Sequence, residues 1–265
     1  MTEPAGASPL FEISGLNRFR VNGRLTGARN STCLALIGAP RGSFDGHCQD
    51  PQNPALLALL DTADLGPFRA TGLRPALAAL ATILREIACE ASGALERLGC
   101  EAMLCCRMVR GSAVAISNHS WGIAIDLTID GGADPLSDPG ALALLLRIHP
   151  VFRRHGFFWG AAFPVPEPMH FEASDQLLRR WAAEGALGSG RMRAPSSGLT
   201  VGDRGPEVLT LQQVLNAHLP FQIREDGVFG AGTRAAVTDL QTRHAMRPDG
   251  IAGPGLLKAL DLRQV

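Results

Sequence analysis

At 265 residues, 46% hydrophobic and 19% charged, the chain has the composition of a packed globular protein and not of a disordered one. Its 25 basic and 25 acidic residues cancel, with no long run of one sign, so an electrostatic nucleic-acid binder is not expected. No apolar stretch approaches the about 18 residues that span a bilayer, and a monomer without a membrane span is expected.

The opening "MTEPAGASPLFEISG" has no basic start followed by an apolar run, so it does not read as a secretory signal. Synthesis and first residence in the cytoplasm are expected. Six cysteines (Cys33, Cys48, Cys89, Cys100, Cys105, Cys106) form no C-x-x-C pair. In a reducing compartment they are expected to be free thiols, with Cys33–Cys48 or Cys89–Cys100 bridges open if the protein ends up outside the cell.

Helical spacing of apolar residues predicts helices over "PALLALLDTADL" (Pro54 to Leu65) and over Arg74 to Gly99, the second with Pro75 in its first turn. "EAMLCCRMVRGS" reads as a strand leading into a turn. In "SNHSWGIAIDLTID" the residues alternate strictly from Ile123. Ile123, Ile125, Leu127 and Ile129 fall on one side, and Ala124, Asp126, Thr128 and Asp130 on the other, the period of a strand with one face in a core. Gly140 to Gly156 reads as a helix stopped or kinked near Pro150, "GFFWGAAF" as a strand, and "SDQLLRRWAAEG" as a helix capped by Ser174 and stopped by Gly185. Strands mixed with helices, without regular βαβ alternation, give an α+β domain with a small antiparallel sheet flanked by helices.

"GALGSGRMRAPSSG" has the Gly, Ser and Pro content of a linker. Beyond it, "REDGVFGAGT" recurs as "RPDGIAGPGL". Each is a D-G-x-x-G turn leading into a helix, and with "GPEVLTLQQVLNAH" they make a small all-α domain of three helices. The expected organisation is an N-terminal extension over 1–32, a main domain over 33–185, a linker over 186–198 and the helical domain over 199–265.

A carboxylate inside a strand is costly unless it meets water or a cation, and Asp126 has candidate company. His119 lies seven residues before it, and "EPMHFE" supplies His170, with Glu172 on the same face of a short strand. Two histidines and a carboxylate are a ligand set for one catalytic zinc per chain, which lowers the pKa of bound water to about 7. The same residue types also serve non-haem iron, although that site usually reads His-x-Asp. Glu167, held before Pro168, is the candidate base, and Arg107 and Arg110 are candidate cations for a developing oxyanion.

"CRMVRGSAVAISNHSWGIAIDLTID" together with "GFFWGAAFPVPEPMHFE" resembles the zinc D-Ala-D-Ala carboxypeptidase and L-alanyl-D-glutamate endopeptidase family of cell-wall peptidases. The likeness runs from about Cys33 to Trp181. It implies zinc on His119, Asp126 and His170, Glu167 as catalytic carboxylate, and Arg107 as the family's arginine, with Arg110 beside it. Ser117, Trp121 and Trp159 fall on motif positions that shape the substrate site. The last part resembles a peptidoglycan-binding domain of three helices, with Leu256 where the second repeat usually has Thr. Together these imply a zinc-dependent, endolysin-like peptidase that acts on bacterial peptidoglycan after release or export. L-alanyl-D-glutamate endopeptidase activity is the first expectation, and D-Ala-D-Ala carboxypeptidase activity the second. A non-catalytic wall-binding protein with structural zinc is the reading from another class.

Overall fold

The computed structural model describes residues 20–44, 47–112, 115–133, 138–188, 198–204 and 206–260. Residues 1–19 of the expected extension and 189–197 of the expected linker lie outside them. In chain order, α1 (Asn30–Leu36) and the single turn α2 (Pro54–Leu57) precede strands β1 (Leu60–Asp64) and β2 (Arg69–Leu73). Helix α3 (Arg74–Glu90), β3 (Leu98–Ala102), β4 (Ala124–Ile129) and α4 (Pro139–Arg154) follow. After them come β5 (Phe157–Trp159), β6 (His170–Ala173) and α5 (Asp175–Ala183). The chain closes with α6 (Pro206–His218), α7 (Ala231–Arg243) and α8 (Pro254–Ala259). This is an α+β arrangement followed by a helical end. No helix among the described residues is long and apolar enough to cross a membrane.

The chain divides into two compact units. One comprises the chain up to Thr26, Leu60–Leu104 and Gly122–Ser174. Its main sheet is antiparallel throughout, in the order β3-β4-β6-β5. The alternation read from the sequence is what strand β4 displays: Ile125, Leu127 and Ile129 are buried, while Asp126 and Thr128 are half-exposed. From α4, Phe152 stacks on Phe171 at 4.0 Å between ring centroids and meets Phe157 edge-on at 6.0 Å. Helix α3 buries Ala76, Leu77, Leu80, Ile83, Leu84 and Ile87, one apolar stripe at helical spacing.

Two of the helices expected from the sequence need correction. The helix expected over Pro54 to Leu65 lasts one turn, and Leu60–Asp64 instead pairs antiparallel with Arg69–Leu73. A turn made by Gly66, with φ of 97° and its N–H on Asp64 Oδ1, closes that hairpin. Thr62 and Thr71 add a hydroxyl pair at 2.7 Å across it. Strand pairing overrides an apolar spacing that fits either structure. The long helix ends at Glu90 rather than near Gly99, because Leu98 to Cys100 are taken up by pairing with Ile129 to Leu127.

Of the stop or kink expected near Pro150, the stop does not occur: helix α4 continues to Arg154. An interior proline costs about 3 kcal/mol, partly because the carbonyl four residues earlier loses its donor. That carbonyl belongs to Leu146, and the Nδ1 of His149 lies 2.9 Å from it, supplying the missing donor.

The second unit comprises Gly27–Leu59, Cys105–Trp121 and the chain from Asp175 onward. Here Gln49 and Cys106 form an isolated antiparallel bridge with two backbone hydrogen bonds, at 3.1 and 2.9 Å. That bridge brings Cys48 beside Cys105, and the two form a disulfide, correcting the expectation of six free thiols. Neither open pairing forms, and Cys33, Cys89, Cys100 and Cys106 take no part in a disulfide.

The helical end shows why D-G-x-x-G occurs twice. Gln212 accepts from the N–H of Gly227 (2.8 Å) and donates to Asp226 and to the carbonyl of Val228, both at 3.0 Å. Gln241 repeats this with Gly250 (2.9 Å), Asp249 (2.8 Å) and Ile251 (2.9 Å). Each glutamine side chain thus spans one turn, and Gly227 and Gly250 both take positive φ, at 66° and 73°. In the first repeat Thr233 also accepts from Gln212, at 3.1 Å. In the second, Leu256 is buried in the core with Val208, Leu211, Leu215 and Phe229, so packing replaces the hydroxyl. Fully buried Asp203 accepts from Ser31 Oγ (3.0 Å) and Thr200 N–H (2.8 Å), tying the segment before α6 to the start of α1.

Candidate metal centre

The antiparallel register of β4 and β6 sets Asp126 directly opposite His170, so the two side chains leave the same face of the sheet. His170 Nδ1 lies 2.9 Å from Asp126 Oδ1. His119 comes from the turn Asn118–Trp121, whose backbone is held by Cys105 N–H donating to the His119 carbonyl at 3.1 Å. His119, Asp126 and His170 each offer a ligand atom, and these atoms all lie within 4.8 Å of one another. Among the described residues this is the cluster of histidine, cysteine and acidic groups that can hold a metal ion.

The donor set fits a cation. His119 and His170 are buried and Asp126 half-buried. On the other side of the His170 ring, Nε2 lies 3.0 Å from Glu172 Oε2, and Glu172 is 2% exposed. Burial by itself pulls the His170 pKa down, but the hydrogen bonds to Asp126 and Glu172 outweigh it and raise the pKa to about 10. The pocket therefore demands positive charge at this ring, which a proton or a bound metal can provide.

Glycines of the two sequence blocks allow backbones to approach. Gly122 has φ of 64° and accepts from Leu73 N–H at 2.9 Å, and a Cβ there would stand 2.8 Å from Gly72 Cα. Gly160 accepts from the N–H of Glu167 at 3.0 Å, and a Cβ on it would meet the Glu167 carbonyl at 2.8 Å. The carbonyl of Glu167 in turn accepts from His170 N–H at 3.0 Å, closing a turn with Pro168 at its second position. Glu167 is thus fixed by backbone bonds at both ends, one turn before a ligand, with an exposed side chain.

Trp159 and Trp121 are buried structural anchors. Trp159 donates from Nε1 to the Pro168 carbonyl (2.6 Å) and stacks on His149 at 4.6 Å. Its backbone makes two bonds to the side chain of Asn22, at 2.8 and 3.0 Å. Trp121 donates to the Gly38 carbonyl at 2.8 Å. Ser117 is buried, with its N–H on the Arg107 carbonyl at 3.0 Å. Arg107 is half-buried, with its guanidinium 3.4 Å from the Met108 carbonyl, and Arg110 is exposed beside the Gly111 turn.

Glu172 was visible in the sequence only as a neighbour of His170 on one face, and Asn22 and His149 carried no motif. A cysteine hydrolase finds no support here. Cys105 is paired with Cys48, and burial pushes the Cys106 thiol up to about 11, leaving it protonated at neutral pH.

Comparison with known families now adds to the geometry. Residues 110–173 match the family described as D-alanyl-D-alanine carboxypeptidase, and residues 204–260 match the peptidoglycan binding domain family. These are the two families that the sequence blocks resemble. No curated protein and no solved structure matches the chain.

Proposed function

For a cell-wall peptidase that joins a segment of the D-alanyl-D-alanine carboxypeptidase family to a peptidoglycan-binding domain, we propose zinc-dependent cleavage of the L-alanyl-D-glutamate bond of the stem peptide. The observation that supports a metallopeptidase most is the convergence of His119, Asp126 and His170, buried or half-buried, one turn from Glu167. Zinc held by these three residues supplies a Lewis acid for the scissile carbonyl and acidifies water. Glu167 accepts the proton of the attacking water at its carboxylate and returns it to the leaving amine. Arg107, with Arg110 beside it, offers a guanidinium to the carbonyl oxygen or to a substrate carboxylate. Ser117, Trp121 and Trp159 hold the backbone segments that shape the substrate cleft. The protein acts as a monomer on the wall, after release or export from the cytoplasm.

The endopeptidase assignment rests on what each cut achieves. Cutting after L-Ala detaches whole stems, a purpose that a polymer-binding domain serves, whereas trimming a terminal D-Ala leaves the wall intact. The family description of residues 110–173 favours a second reading, D-Ala-D-Ala carboxypeptidase. Digestion of purified peptidoglycan, with the new termini identified by mass spectrometry, decides between them. New amino-terminal glutamate is expected. Free D-alanine without that terminus selects the carboxypeptidase, and no new terminus at all leaves only a wall-binding protein.

The helical end makes its own demand. A chain truncated near Gly190 is expected to fold, because the core of α6 to α8 is built from residues 199–260 and leaves with them, and Ser31, which loses Asp203, keeps a hydroxyl that water can satisfy. It should still cleave soluble stem peptides but bind intact sacculi poorly, since tethering to the polymer is lost. Undiminished sacculus binding after truncation removes the targeting role from residues 199–260.

A further inference from the structure

We infer that Glu172 is a positioning residue for the metal centre: it holds the Nε2–H of His170, so that Nδ1 presents its lone pair to the ion. The inference rests on the metallopeptidase reading and names how one ligand of that site is oriented.

An imidazole has two nitrogens, and the partner of one decides the state of the other. In this chain each edge of the His170 ring faces a carboxylate. Nδ1 faces Asp126 Oδ1 at 2.9 Å, and Nε2 faces Glu172 Oε2 at 3.0 Å. Asp126 belongs to the ligand cluster, so the metal side of the ring is the Nδ1 side. With Asp126 engaged as a ligand of the ion on the Nδ1 side, Glu172 is the carboxylate left to accept from a neutral ring, which places the single proton on Nε2 and the lone pair of Nδ1 toward the ion.

The strand geometry makes this arrangement rigid. Glu172 follows His170 by two residues on β6, so the pleat sends both side chains to the same face. Directly across the sheet Glu172 faces Ala124 on β4, whose methyl leaves room for a carboxylate lying along the strand, and Phe158 on β5. The Glu172 side chain is 3% exposed and that of His170 is 7% exposed, so neither has space to swing away into water.

Charge points the same way. A buried carboxylate is costly without a compensating cation. A divalent ion beside ionised Asp126 and Glu172 makes a neutral group, whereas the same ion with Asp126 alone leaves one buried positive charge uncancelled. Glu172 therefore favours occupancy by a divalent ion without touching it.

Two measurements on the full-length protein test this. In the zinc-loaded parent, long-range proton–nitrogen NMR should show His170 with its proton on Nε2. In competition with a chromophoric chelator, Glu172→Ala should bind zinc about 10- to 100-fold more weakly than the parent. Glu172→Gln, whose amide oxygen still accepts from Nε2, should recover most of that loss. A merely structural role for Glu172 would not set the tautomer, nor let Gln restore affinity.

A proton on Nδ1, or unchanged zinc affinity in Glu172→Ala, overturns the inference. Should Glu172→Ala fail to fold, the tautomer in the parent decides alone. A parent that binds zinc and cuts peptidoglycan yet carries the proton on Nδ1 sinks only the positioning role. A parent that takes up no zinc sinks the metallopeptidase reading with it.

Discussion

Glu167→Gln is expected to lower turnover by about 10²- to 10⁴-fold, the range that a general acid–base group contributes, while leaving zinc content at one per chain. The substitution keeps the shape of the side chain and removes only its capacity to take up a proton. The backbone bonds that hold this turn, from Gly160 to Glu167 and from Glu167 to His170, do not involve the side chain, so the fold should be undisturbed. Turnover and metal content are thus separated in one variant. Near-normal turnover in Glu167→Gln would remove this residue from the mechanism.

Loss of a ligand should do the reverse. His119→Ala leaves two donors where zinc needs three from the protein, and both metal and activity should be lost together. His170→Ala should do the same, with an added structural cost. It takes away the group between Asp126 and Glu172, leaving two carboxylates, one of them 2% exposed, without their shared partner. Breaking such a buried pair typically costs about 3–5 kcal/mol, so the drop in melting temperature should be larger for His170→Ala than for His119→Ala. Full metal content in both variants would place the ion elsewhere.

The strand carrying Asp126 was legible because alternation over Ile123 to Asp130 is long and strict, and a one-face core enforces it. The helical end was legible for a similar reason: glycines are needed where φ is positive, and Gly227 and Gly250 advertise both turns. What the sequence concealed depends on partners distant along the chain. The strand Leu60–Asp64 looks helical until Arg69–Leu73 is set beside it. Pro150 reads as a stop or a kink because nothing local announces that the ring of His149 serves the Leu146 carbonyl.

Cys48 and Cys105 are 57 residues apart, and only the bridge between Gln49 and Cys106 brings them together. At the site, the ligand types were readable from two short blocks. The cross-strand register that sets Asp126 opposite His170, and the burial that makes Glu172 a partner of the ring, belong to the sheet.

Metal-dependent cutting of the bacterial wall at His119, Asp126 and His170 is tested most directly by following new amino termini released from purified peptidoglycan by one preparation, first as loaded with zinc, then stripped by a chelator, then reloaded. Release should stop on stripping and return with zinc, in step with a metal content of about one per chain. Undiminished release from the stripped protein would contradict that dependence.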